Sequence, residues 1–168
     1  MEQLMERVQA CARKVVEEVC RVKAGERVLI ITNRVVERPA IAWNNRVLSC
    51  DIAQTEVISQ ALYDACLEAG ACPVMVVQPE KTSMDAADEG VLAALATEPD
   101  VCMSISHNKL GKDVKAIAKP YLDEAGTSYD HIFDYLLHGK KTMRSVWTPG
   151  ITIGMFARAV DIDYGQLQ

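Results

Sequence analysis

Glycine-rich phosphate loops are missing from this chain. Neither G-x-G-x-x-G nor G-x-x-x-x-G-K follows an apolar run, and the first such run leads into Asn33-Arg-Val-Val rather than a tight turn. Phosphates are cradled where backbone N–H groups approach without side chains in the way, so a dinucleotide or nucleoside triphosphate held in the usual manner is not expected. G-x-S-x-G is missing as well, which removes the strained serine elbow of the α/β-hydrolases. Positive charge is not in excess: 18 Lys and Arg stand against 23 Asp and Glu, for a net charge of −5 and a pI of about 5.2. That balance gives no electrostatic footprint for a polyanion, and nucleic acid is not an expected partner.

Long apolar runs are lacking at the amino terminus, where Glu2, Glu6, Arg7, Arg13, Lys14, Glu17 and Glu18 interrupt the first twenty residues. Neither a secretory signal nor a transmembrane anchor is expected, so the membrane is not a partner and the cytoplasm is the default location. The six cysteines (Cys11, Cys20, Cys50, Cys66, Cys72 and Cys102) form no C-x-x-C pair. Most lie on apolar helix faces or inside apolar runs, and they read as reduced core residues. A chain of 168 residues buries roughly two-thirds of its unfolded surface, enough for one domain without disulfide or metal staples.

What the chain does contain is four short apolar runs, 27–32, 73–78, 101–106 and 142–147, alternating with helical segments. Runs apolar on both faces suit strands covered by helices on each side. With a helix in every strand-to-strand link, right-handed crossovers are expected. The predicted fold is an α/β three-layer sandwich with a mostly parallel, Rossmann-like sheet of about four to five strands, forming a single domain over residues 1–168.

Residues 2–22 place Leu4, Met5, Val8, Ala12, Val15, Val16, Val19 and Val22 at steps of three and four, an amphipathic helix stopped by Gly25. Residues 33–50 show no clear period and carry Pro39, Arg34, Arg38 and Arg46. A stretch of that length is a functional loop, an extra hairpin or an oligomer contact. Asp51 with Gln54 resembles a capping box, and the helix that follows should end at Gly70. Pro73 suggests that the second strand lies on an edge. A shorter helix is expected over 85–96, a weak one over 109–119 cut by Pro120, and another from Thr127 or Ser128 to Leu137. Thr148-Pro-Gly150 should turn into a last short helix with Met155 and Phe156.

Parallel sheets carry ligands where the carboxyl ends of their strands open into loops, which selects Asn33, Ser106, His107, Lys109 and Thr148 as candidate ligand-facing residues. A His beside a Lys can bind an anion or act as a base near neutral pH, although a loop histidine bonded to backbone is the plainer reading. On a helix through 128–137, His131, Asp134 and His138 fall within about 60° of one another. Ile132, Phe133, Leu136 and Leu137 lie opposite, so the trio reads as a solvent face rather than a metal site. Gly111-Lys112-Asp113 reads as a lone loop glycine, Lys140-Lys141 as a solvated edge, and Trp43 and Trp147 as core or interface aromatics. No catalytic residue and no metal ligand is assigned.

The order and spacing of Val22-Lys-Ala-Gly-Glu-Arg-Val-Leu-Ile-Ile31, Leu67-Glu-Ala-Gly-Ala71, Arg144-Ser-Val-Trp-Thr-Pro-Gly-Ile-Thr152, Met155-Phe156 and Asp161-Ile-Asp-Tyr164 resemble the amino-terminal domain of the aminopeptidase T family of metallopeptidases. That family is itself similar to the non-haem iron dihydroxypyridine dioxygenases. The resemblance implies that the metal-binding residues belong to a second, carboxyl-terminal domain, beginning about where this sequence ends. On that reading the chain is the amino-terminal half of a longer two-domain protein and holds no cofactor, the divalent metal residing in the other half.

The expected function is therefore a non-catalytic domain that lines the cleft for a small-molecule or peptide substrate and assists homo-oligomerisation. The alternative is a stand-alone ligand-binding or oligomerisation module without enzymatic activity. A third reading, a small enzyme using His107 with Lys109, requires a deep apolar pocket beside them.

Overall fold

The computed structural model describes residues 2–33, 41–43, 46–48, 53–106 and 110–164. In chain order, helix α1 (Glu2–Lys14) runs into a π-helical turn (Val15–Val19) and is followed by β1 (Arg27–Asn33). Next come β2 (Ile41–Trp43), β3 (Arg46–Leu48), α2 (Ala53–Glu68), β4 (Cys72–Gln78), α3 (Glu89–Ala96) and β5 (Val101–Ile105). Helix α4 (Val114–Ala118), β6 (Tyr121–Leu122), β7 (Ser128–Tyr129) and α5 (Ile132–Asp134), which continues into a second π-helical turn (Tyr135–Gly139), lead to β8 (Arg144–Trp147) and α6 (Ile153–Arg158).

Strands β4, β1, β5 and β8 form one parallel sheet in that order. The architecture is the expected three-layer α/β sandwich. Alternation along the strands divides the core in two. Val28, Ile30, Val101, Met103 and Ile105 pack with α1, α2 and α6, while Leu29, Ile31 and Cys102 pack with α3 and α5. Ile30 and Ile31 are fully buried on opposite faces, each worth about 1.5–3 kcal/mol of transfer free energy. A strand buried on both sides has no polar register to alternate, which is why these segments appear in the sequence as unbroken apolar runs.

Strand β4 lies at the edge, as Pro73 suggested. The Cys72 N–H donates to the Glu26 carbonyl at 2.8 Å, so Cys72 turns its backbone toward β1. By alternation Pro73, Met75 and Val77 turn theirs outward, and proline at an outward position removes one donor from the open edge. The edge position also corrects the reading of Cys72 as a core residue, for its side chain is exposed, whereas Cys11, Cys20, Cys66 and Cys102 are buried. Desolvation pushes the Cys20 and Cys102 thiols up to about 12 and those of Cys11 and Cys66 to about 11, so all four are protonated and unreactive.

Of the three options for residues 33–50, the described part contains the hairpin, with β2 and β3 paired antiparallel from Ile41 opposite Leu48. Helix α2 is followed by Gly70 at φ +75°, as expected, while its suggested cap Asp51 lies outside the described residues. Helices α3, α4 and α5 start later than the sequence suggested, α4 only at Val114. Helix α3 is capped by Asp88, whose carboxylate accepts from the Gly90 N–H, and α5 begins only at Ile132 because 128–129 are spent pairing β7 with β6.

Candidate functional site

The chain passes from β1 to β4 on one side and then crosses to place β5 on the other side of β1. The connections therefore diverge between β1 and β5, and at such a switch point a crevice opens beyond the carboxyl ends of the strands. Polarity changes abruptly there. Thr32, Asn33, Gln78, Ser104 and Ser106 are all at most 1% exposed, at the ends of three neighbouring strands whose preceding residues are apolar. Ser104 Oγ lies 3.1 Å from Ser106 Oγ. The β8 exit closes on the same strand, with Thr148 N–H donating to the Ser104 carbonyl at 3.1 Å and Gly150 N–H to that of Ser106 at 3.4 Å. The hydroxyls of Thr32 and Thr148 are sealed from solvent without a hydrogen-bond partner among the described residues. Each such group costs about 1–3 kcal/mol, which the apolar core alone gives no reason to accept.

Beside Ser104 lies a cavity of about 220 Å³ walled by His131, Phe133, Leu110, Gly111 and Trp147. His131 is the N-cap of α5, and its Nδ1 accepts the Phe133 N–H at 3.0 Å. An acceptor at Nδ1 in a neutral ring assigns the proton to Nε2, which is buried and has no partner among the described residues. Burial holds the imidazole below its ordinary value of 6.5, outweighing the upward pull of Asp113, Asp134 and Asp130. His131 is thus a neutral hydrogen-bond donor. With no carboxylate on Nδ1, it lacks the oriented geometry of a general base.

A linkage effect follows. Because the folded state binds the His131 proton less readily than the unfolded chain, stability is fully present above about pH 6.5 and falls as the pH drops below it. Urea melts between pH 8 and 5 should show that loss, and His131→Gln should remove it.

The far wall is built by crossed loops. Ala87 N–H donates to the Lys112 carbonyl and Lys112 N–H to the Asp85 carbonyl, both at 2.8 Å, so the segments leaving β4 and β5 are tied together. They meet at Gly111, which has φ +92° and lies so close that an added Cβ would stand 2.8 Å from Ala87 N and 2.9 Å from Ala86 C. Next to it the buried carboxylate of Asp113 accepts from Ala116 N–H at 3.0 Å, capping α4, and from Ile132 N–H at 3.3 Å.

Of the candidate residues, Asn33, Ser106 and Thr148 lie at the carboxyl ends of β1, β5 and β8, the first two fully buried. His107 and Lys109 lie outside the described residues. The trio of His131, Asp134 and His138 does not share a solvent face: His131 precedes the helix and is buried, while Asp134 and His138 are exposed. Gly111 is a crossing point rather than an incidental loop glycine, and Trp147 is a half-exposed cavity wall. Neither a protein-family model nor a curated protein matches the chain. Among the described residues no cluster of three or more His, Cys, Asp or Glu is placed to hold a metal ion, and no helix is long and apolar enough to cross a membrane.

Proposed function

We propose that this chain is a ligand-binding α/β domain whose carboxyl sheet edge forms one wall of a substrate cleft, without turnover of its own. The observation that carries the reading is the buried polar patch of Thr32, Asn33, Gln78, Ser104 and Ser106 beside the His131 cavity. At about 220 Å³ the cavity is smaller than the 300–1,000 Å³ of complete ligand sites, so it suits one group of a larger ligand. A neutral Nε2–H and serine hydroxyls match a carbonyl or amide oxygen, and Phe133 and Trp147 an apolar substituent. That is the chemistry of a small amide or peptide, in keeping with the resemblance to the aminopeptidase T family. A divalent metal would then be held by another domain, and the protonated thiols suit a cytoplasmic setting.

The test is a ¹H–¹⁵N NMR titration with N-acetyl-leucine amide and with alanyl-leucine. Saturable shifts at Ser104, Gly111 and the Trp147 indole, weakened about tenfold or more in His131→Phe, are expected. Saturation without shifts at those residues, or none at millimolar probe, overturns the reading.

The second reading, an oligomerisation module, is favoured by the open edge of β4, which carries no charged residue from Cys72 to Gln78 and exposes Val74 and Val77. If a second copy adds there, the outward amides of Met75 and Val77 gain exchange protection as concentration rises, while Val74 and Val76 are protected throughout.

A further inference from the structure

A second, larger hollow of about 540 Å³ lies between α3 and α4, lined in part by the crossed loops at Ala86, Ala87, Lys112 and Asp113. Its volume is within the range of complete small-molecule sites. Helix α3 presents Glu89, Leu92, Ala93 and Ala96 to it, a single face at steps of three and four. The alanines leave the space empty, and Tyr121 closes the back, its ring stacked on Tyr135 at 5.1 Å.

Apolar surface continues outside. Val114, which lines the hollow, is 57% exposed, and Met84, Ile117 and Leu122 on neighbouring segments are 50–76% exposed. Large side chains left in water in one neighbourhood are unusual for a surface without a binding role.

The charges of the wall are specific. Lys112 and Lys115 both line the hollow, and neither forms an ion pair among the described residues, although Lys14, Lys140, Arg7, Arg13, Arg27 and Arg144 each do. Among the described residues the Lys112 ammonium's hydrogen bond is to the Met84 sulfur, at 3.9 Å. Of the two acids on the wall, Asp113 is engaged by two backbone N–H groups, and Glu89 stands against the two cations. An apolar hollow whose two ammonium groups have no ion-pair partner among the described residues complements a molecule that is apolar along most of its length and anionic at one end.

We propose that the hollow between α3 and α4 binds a medium-chain aliphatic carboxylate, its chain along Leu92, Ala93, Ala96 and Tyr121 and its head between Lys112 and Lys115. This site shares the crossed loops with the carboxyl-edge cavity but none of its lining residues Ser104, His131, Phe133 and Trp147.

The test is calorimetric and NMR titration with hexanoate, octanoate and decanoate below their micellar concentrations, with decan-1-ol and decyltrimethylammonium as matched tails. Affinity should rise up to about fourfold for each added CH₂ until the hollow is filled. Decanoate should bind at least tenfold more tightly than the alcohol, with shifts at Ala93, Ala96 and Tyr121. Replacing Lys112 and Lys115 together by Gln should weaken decanoate about tenfold, and Glu89→Gln should tighten it. Ala93 is exposed and lines the hollow, so Ala93→Leu narrows the path of the chain without disturbing the core and should weaken binding about tenfold. Absence of saturable binding, equal affinity for acid and alcohol, or binding indifferent to Ala93→Leu overturns the proposal.

Discussion

Gly111→Ala lowers the stability of the domain by about 3 kcal/mol or more, the largest effect expected of any single methyl group added to this chain. Two costs act together. At φ +92° an L side chain meets the carbonyl that follows it, at roughly 1–2 kcal/mol. The new Cβ also stands under 3.0 Å from backbone atoms of Ala86 and Ala87, which have no rotamer to change, and overpacking of that kind costs about 1–3 kcal/mol. Relief requires the two loops to part, breaking the Ala87-to-Lys112 and Lys112-to-Asp85 hydrogen bonds. Gly111→Asn separates the costs, since asparagine tolerates positive φ but still carries a Cβ. If urea melts show Gly111→Asn nearly as stable as the parent, the steric half of the argument is wrong.

Asp113→Ala costs about 2–4 kcal/mol. Loss of the α4 cap alone is worth about 0.5–2 kcal/mol, and leaving the Ile132 N–H without its acceptor adds about 1–3 kcal/mol. Asp113→Asn retains a carbonyl for one of the two N–H groups and should recover about half of the loss. Thermal and urea melts of the three proteins measure this. The same substitutions remove a negative charge that raises the His131 pKa, so the His131 imidazole should titrate at still lower pH in either variant. A His131 titration unchanged in Asp113→Asn would show that the two groups do not interact.

The four sheet strands were legible because burial on both faces leaves a run of Val, Ile, Leu and Met that needs no partner to be recognised. The edge position of β4 was legible from Pro73, whose missing N–H is tolerated in few places. Asn33, Ser106 and Thr148 could be selected because strand ends in a parallel sheet are predictable once the strands are.

The rest depended on contacts between distant segments. Helical periodicity misplaces His131 because the helix starts at Ile132, four residues later than the pattern suggests. As the N-cap it has extended backbone, φ −146° and ψ 133°, and turns inward. The only local trace was a polar residue directly before the apolar pair Ile132-Phe133. Gly111 could not be read at all, since what makes it a glycine is the backbone of residues 86 and 87, supplied by another loop. Cys72 reads as core only if strand residues are covered on both faces, and an edge strand is not.

The tie between Asp85–Ala87 and Lys112 joins loops from strands that never touch each other, for β4 and β5 lie on opposite sides of β1. A tie of that kind is expected to close after both strands have docked on β1 and to be missing from the transition state, and a φ-value near zero at Gly111 is the check. Damage at that tie then leaves the rate of folding almost untouched and appears in the unfolding rate, by roughly a hundredfold for a loss of about 3 kcal/mol. The crossing at Gly111 sets how long the folded chain survives between openings, and with it the time for which a protease finds the sheet closed.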